Sequence, residues 1–112
     1  DLHAEATSEK IAMGRYLDGR VGAVVGSHTH VQTSDETILP GGTAYLTDLG
    51  MTGPKDSVLG RDVESILKKF LTGMPVPFKV AKRGVALEGV KITFRRDGRA
   101  AAIERLREPL EP

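Results

Sequence analysis

Two of the three histidines in this chain stand two residues apart, His28 and His30 in the stretch VVGSHTH, and the third is His3, in the opening DLH. Imidazole is the commonest neutral metal ligand near neutral pH. On extended backbone, residues i and i+2 point to the same side, so His28 and His30 can contact one ion or two adjacent ions. The alternative is a pair of surface loop histidines with no chemical role. His3 adds weight to the metal reading. It precedes a predicted helix that leads into the strand carrying His28, and such a unit can return the strand end to the helix start, where all three rings converge. No histidine lies beyond position 30. Three neutral imidazoles leave an ion's charge uncompensated. A single zinc with three histidines and a water is one solution, whereas hard or paired ions also call for oxygen ligands. Asp1, Glu5, Asp35, Glu36 and Asp48 are the oxygen candidates. Each reads more simply as a solvated or capping carboxylate, and Glu5 and Glu9 suit the first turns of a helix, where the dipole favours negative charge.

These residues need elements to position them. Residues 4–19 are expected to be helical, with Ala12, Met13, Tyr16 and Leu17 as an apolar patch and the Asp-Gly pair at 18–19 as its end. VGAVVG at 21–26 reads as a buried strand, short, β-branched and bounded by glycines. A polar loop follows over 27–35, then a short strand in ETIL, a turn at 40–42 and a strand over 43–50. The stretch GMTGPKDS at 50–57 is a loop whose backbone N–H groups are candidates for a phosphate, although such a stretch is more often only a turn. The clearest helix carries Val63, Ile66, Leu67, Phe70 and Leu71 on one face, with Asp62 as N-cap and Gly73 and Pro75 as stop signals. That face needs a sheet or another helix to cover it. Near the end, Val90, Ile92 and Phe94 alternate with polar residues, and Asp97-Gly98 signals a two-residue hairpin turn that pairs Phe94 with Ala101 and Ile92 with Ile103.

The 112 residues suit one modest domain or part of a larger one, and neither an internal repeat nor a domain linker is evident. A net charge of +1 gives no broad cationic surface, so nucleic-acid binding through charge alone is unsupported. The absence of cysteine excludes disulfides and thiolate metal sites. No apolar run approaches the roughly 18 residues of a membrane span. No membrane partner is expected, and a cytoplasmic location is the default. The chain opens on DLHAEATSEK rather than on methionine, which reads as a piece that starts inside a structured region.

HAEATSEK, GSHTHV and GGTAYLTDLGMTGP are long and specific segments. Together they resemble the C-terminal half of the YmdB-like metallophosphoesterases, within the calcineurin-like phosphoesterase superfamily. The resemblance is densest over residues 1–60 and continues to about 107, leaving 108–112 as a frayed tail. It implies an α/β fold of two facing sheets flanked by helices, of which residues 1–107 are the C-terminal portion of a single domain. It implies hydrolysis of phosphodiesters, with 2′,3′-cyclic nucleotides as the substrate class, at two divalent ions (Fe, Mn or Zn). Carried over residue by residue, His3 and His28 hold the same ion and His30 the other. Asp1 receives no ligand role, because HAEATSEK places DLH late in the family's order. Gln32 departs from the proline expected after HTHV, at a position that touches no ligand.

The resemblance also implies what is missing. The remaining ligands, an Asp, a bridging Glu and two Asn, and the histidine that assists at the phosphate belong to an N-terminal half with no counterpart in this sequence. That half is the first expected partner; a small phosphodiester or cyclic nucleotide is the second, and a second copy of the chain the third. Two ions about 3.5–4 Å apart activate a bridging water and clamp the phosphate oxygens. Without the bridging carboxylate, histidines alone would retain one ion at best. The expectation is an active full-length enzyme and an isolated chain with no catalytic residue of its own and no activity. The competing expectation is a non-enzymatic interaction module or a single-metal-binding fragment.

Overall fold

A computed structural model describes residues 1–110 and divides into two compact units. One comprises Asp1–Met51 and Glu88–Leu106; the other comprises Thr52–Leu87 and the described residues from Arg107 to Leu110. The elements in order are β1 (Leu2–His3), α1 (Thr7–Leu17), β2 (Ala23–Ser27), β3 (Thr37–Ile38), β4 (Ala44–Leu46), β5 (Gly53–Pro54), α2 (Val63–Thr72), β6 (Val85–Phe94) and β7 (Ala100–Pro109). The class is α/β, with a four-stranded sheet in the order β1-β2-β4-β3 and a three-stranded sheet in the order β5-β6-β7. No described helix is long and apolar enough to cross a membrane.

In the first unit, β1, β2 and β4 run parallel and β3 closes the edge antiparallel to β4. Parallel neighbours require a crossover, and α1 supplies it between β1 and β2. The register sets Leu2 opposite Gly26 and His3 opposite Ser27. Ala44, Tyr45 and Leu46 are all buried, as befits a strand flanked on both edges and covered on both faces. Gly26 has no room for a side chain, because a Cβ there would lie 1.8 Å from the carbonyl oxygen of Thr47. This close approach draws the end of β2 against the strand exit of β4.

Helix α1 differs from its expected packing. The predicted patch is mostly solvent-facing, with Met13 and Tyr16 exposed, and the helix buries Lys10 and Gly14 instead. The reason is spacing. Gly14 lies against the Tyr45 ring, where a Cβ would come within 3.1 Å of Cδ1, and only small residues or a flexible chain fit that approach. α1 also begins at Thr7 rather than residue 4, after the two-residue strand β1.

The hairpin between β6 and β7 corrects the predicted register. Arg95 donates its N–H to the Arg99 carbonyl and Gly98 donates to the Arg95 carbonyl, so the loop has three residues, with Gly98 at φ 89°. A three-residue loop of this kind closes on a left-handed glycine, and Ala100 is buried instead of Ala101.

In the second unit, α2 follows its sequence signals. Asp62 accepts a hydrogen bond from the Ser65 N–H at 3.0 Å, and Gly73 at φ 68° donates its N–H to the Lys69 carbonyl. Its apolar face is only partly covered: Ile66 is buried, whereas Phe70 and Leu71 are 76% and 84% exposed. β5 pairs antiparallel with β6, Gly53 opposite Ala86. The expected frayed tail over 108–112 is paired where it is described. β7 runs to Pro109, and the Leu110 N–H donates to the Val85 carbonyl. The last part of that expectation, 111–112, lies outside the described residues.

Candidate metal centre

His3 ends β1 and His28 follows the last residue of β2, so their parallel pairing brings two imidazoles that are 25 positions apart to one strand edge. His3 Nε2 lies 3.1 Å from His28 Nδ1, and the rings meet edge to face with centroids 4.9 Å apart. On its other side, His3 Nδ1 lies 2.9 Å from Ser27 Oγ. With the proton on Nδ1 donated to that hydroxyl, Nε2 keeps its lone pair toward His28. Two nitrogens bound to one ion at about 2.0–2.1 Å sit about 3.3 Å apart in tetrahedral geometry and about 3 Å apart at an octahedral right angle. The observed separation falls in that interval, so the pair fits two adjacent positions on a single ion.

Among the described residues, no group of three or more His, Asp or Glu side chains is placed to hold one ion. A single ion held by all three rings is therefore not what the described residues arrange. The reason is the backbone. β2 ends at Ser27, and His28 and His30 occupy a bend at φ 124° and 65°, not the extended chain that would send i and i+2 to one side.

The oxygen candidates have other partners. Asp48 is fully buried; its Oδ2 meets Lys10 Nζ at 3.2 Å and accepts the Thr29 N–H at 2.9 Å, and its Oδ1 accepts the Gly50 N–H at 2.9 Å. Burial opposes ionisation of Asp48, but the N–H groups of Thr29 and Gly50, with the Thr29 hydroxyl and Lys10, hold its carboxyl below the ordinary 3.8. Asp35 accepts from the Thr33 hydroxyl at 2.7 Å, from the Thr47 N–H at 3.2 Å and from the Thr47 hydroxyl in a short bond. Partial desolvation of Asp35 is outweighed by those bonds, and its carboxyl too is held below 3.8. Glu36 accepts from Arg105 Nε at 2.7 Å. Asp1 and Glu5 are exposed. The phosphate-cradle reading of GMTGP meets the same outcome, since the Gly50 and Met51 N–H groups donate to Asp48 and Glu88 side chains.

Sequence reasoning missed the Lys10–Asp48 pair. A buried lysine looks like any surface lysine on a helix. The available signal was Ala6 and Gly14, two small residues four positions either side of Lys10, which mark a helix face pressed closely against a sheet.

Residues 1–106 match the sequence family described as YmdB-like protein. The chain is 58% identical over 107 residues to a 2′,3′-cyclic-nucleotide 2′-phosphodiesterase of Bacillus subtilis (strain 168), covering 95% of this chain and 40% of that protein. Among solved structures, a hypothetical protein from Thermus thermophilus superposes with a TM-score of 0.85 at 50% identity, over 96% of this chain and 43% of that one. A structure described as a novel phosphatase of Mycoplasma pneumoniae gives 0.89 at 39% identity, over 96% of this chain and 39% of that one. The chain thus spans about two fifths of the length of these relatives.

Proposed function

This chain belongs to the YmdB-like protein family, and from that premise we propose that it is the histidine-bearing C-terminal portion of a dinuclear-metal phosphodiesterase acting on 2′,3′-cyclic nucleotides. The substrate class follows the name of the Bacillus subtilis relative, and the fold proposed for the whole is the calcineurin-like one of two facing sheets. The observation that carries the reading is the 3.1 Å approach of His3 Nε2 and His28 Nδ1. His3 and His28 hold one ion, and His30 serves the other. The oxygen ligands come from polypeptide outside these residues, because Asp35, Glu36 and Asp48 are committed to internal hydrogen bonds.

A pair of divalent ions (Fe, Mn or Zn), when bound, supplies an activated water and positive charge for the phosphate oxygens. The task of this chain is to present fixed lone pairs. Ser27 orients the His3 ring through Nδ1, a role of the kind that raises ligand basicity and fixes the tautomer. The strand register fixes His3 beside Ser27, one residue before His28. No residue here acts as the acid that assists the leaving group, so the chain by itself is proposed to be inactive.

In the full-length protein, His3→Ala and His28→Ala are expected to lose a bound ion and at least about a hundred-fold of cyclic-nucleotide hydrolysis, with folding retained. Unchanged hydrolysis in folded variants overturns the proposal. Robust turnover by the isolated chain with Mn²⁺ overturns the assignment of the remaining ligands to other polypeptide.

A further inference from the structure

We propose that Lys10 and Asp48 are positioning residues that set the His28–Thr29–His30 bend, and through it the placement of the imidazoles; the inference rests on the metal reading of those histidines. Both side chains are sealed from solvent, at 1% and 0% exposure, with Nζ 3.2 Å from Oδ2. The same Oδ2 accepts the N–H of Thr29 at 2.9 Å, and Thr29 is the residue between the two histidines. Asp48 also grips the far side of the bend. Its N–H donates to Thr33 Oγ1 at 2.9 Å, and its carbonyl accepts the Thr33 N–H at 3.1 Å. One buried residue therefore anchors the chain on both sides of His30.

The bend needs such an anchor. His28 and His30 both have positive φ, 124° and 65°, uncommon for non-glycine residues; 65° lies in the left-handed region that histidine tolerates, whereas 124° lies outside it, so His28 is the position that most needs holding. Stability alone is a poor account of the pair, since a buried ion pair is often no better than apolar residues of similar shape. What an apolar pair cannot do is accept the Thr29 and Gly50 N–H groups. The Thr29 and Gly50 N–H groups, with Lys10, favour the acceptor-only carboxylate in this sealed site, whereas a protonated acid or an amide would turn a donor toward one of those N–H groups. The pair also joins three segments that serve the histidines: α1, which follows His3; the strand exit of β4; and the bend itself.

Co²⁺ titration of the full-length protein, followed by the visible absorption of the bound ion, reads affinity and coordination together. Lys10→Met and Asp48→Asn are each expected to weaken Co²⁺ binding by about 10–100-fold and to change the absorption bands, with circular dichroism and elution volume as in the parent. Parental affinity and bands in a folded variant overturn the proposal. Should a single variant fail to fold, the double variant Lys10→Met/Asp48→Asn, which buries no charge, is expected to bind as weakly, and parental binding by it counts equally against the proposal. A further arm needs no variant. The Thr29 amide of the parent is expected to exchange with solvent at least about a hundred-fold more slowly than an open loop amide; exchange at the open-loop rate overturns the anchor. If His28→Ala leaves Co²⁺ binding intact, the metal reading falls instead, and Thr29 exchange still judges the anchor on its own.

Discussion

His3 touches Ser27 on one side and His28 on the other, and each contact depends on the register that sets His3 opposite Ser27. The serine hydroxyl holds His3 Nδ1, so its removal frees the ring to turn. Ser27→Ala is expected to lower Zn²⁺ affinity about ten-fold in the full-length protein without loss of folding, as outer partners of ligating histidines typically do. Isothermal titration giving parental affinity would refute this orienting role. The histidines themselves are legible as residues. Their pairing is not, because β1 is two residues long and carries no periodic signal. Asp48 is legible only as a spare carboxylate, since nothing in TDLG announces that Lys10, Thr29 and Gly50 occupy both of its oxygens.

At the scale of elements, α2 shows what sequence patterning reveals and where it stops. Its cap, its periodicity and its terminal glycine all lie within a dozen residues, and the helix forms where they indicate. Which part of its apolar face is covered depends on distant chain, and the pattern cannot report that. Ile66→Ala is expected to cost about 2–5 kcal/mol, the range for a buried aliphatic truncation. Phe70→Ala is expected to stay within about 0.5 kcal/mol, because that ring is already in solvent. Urea unfolding of the two variants measures the difference, and equal losses would contradict the described burial. The β6–β7 hairpin shows the converse limit. Asp-Gly marks the turn, but the choice between two- and three-residue loops rests on one hydrogen bond, Arg95 N–H to Arg99 O, that composition does not encode. Gln32 shows how a loop can be fixed without the expected proline: its amide nitrogen lies 3.1 Å from both the Gly89 and the Leu106 carbonyl oxygens.

For the molecule as a whole, acid is the condition that reaches several anchors at once. Asp35 and Asp48 both have folded-state pKa values below the ordinary 3.8, held there by hydrogen bonds that outweigh burial. Groups of this kind stabilise the fold fully above the unfolded value, and that contribution is lost as pH falls through the lower folded value. Thermal stability is therefore expected to be level down to about pH 5 and to fall below about pH 4. Asp35→Asn should make that fall shallower, and a thermal denaturation series with parallel curves for parent and variant would count against the assignment. Legibility at this scale is uneven. The α/β class follows from glycine-bounded strands alternating with helical stretches, whereas the division into two compact units has no linker to announce it.

Parallel pairing of β1 with β2 is proposed to build half of a metal site. Anomalous diffraction from crystals of the full-length protein grown with Mn²⁺ or Zn²⁺ tests it most directly. A peak bonded to His3 Nε2 and His28 Nδ1 together is expected; full metal occupancy with no peak touching that pair would overturn the proposed site.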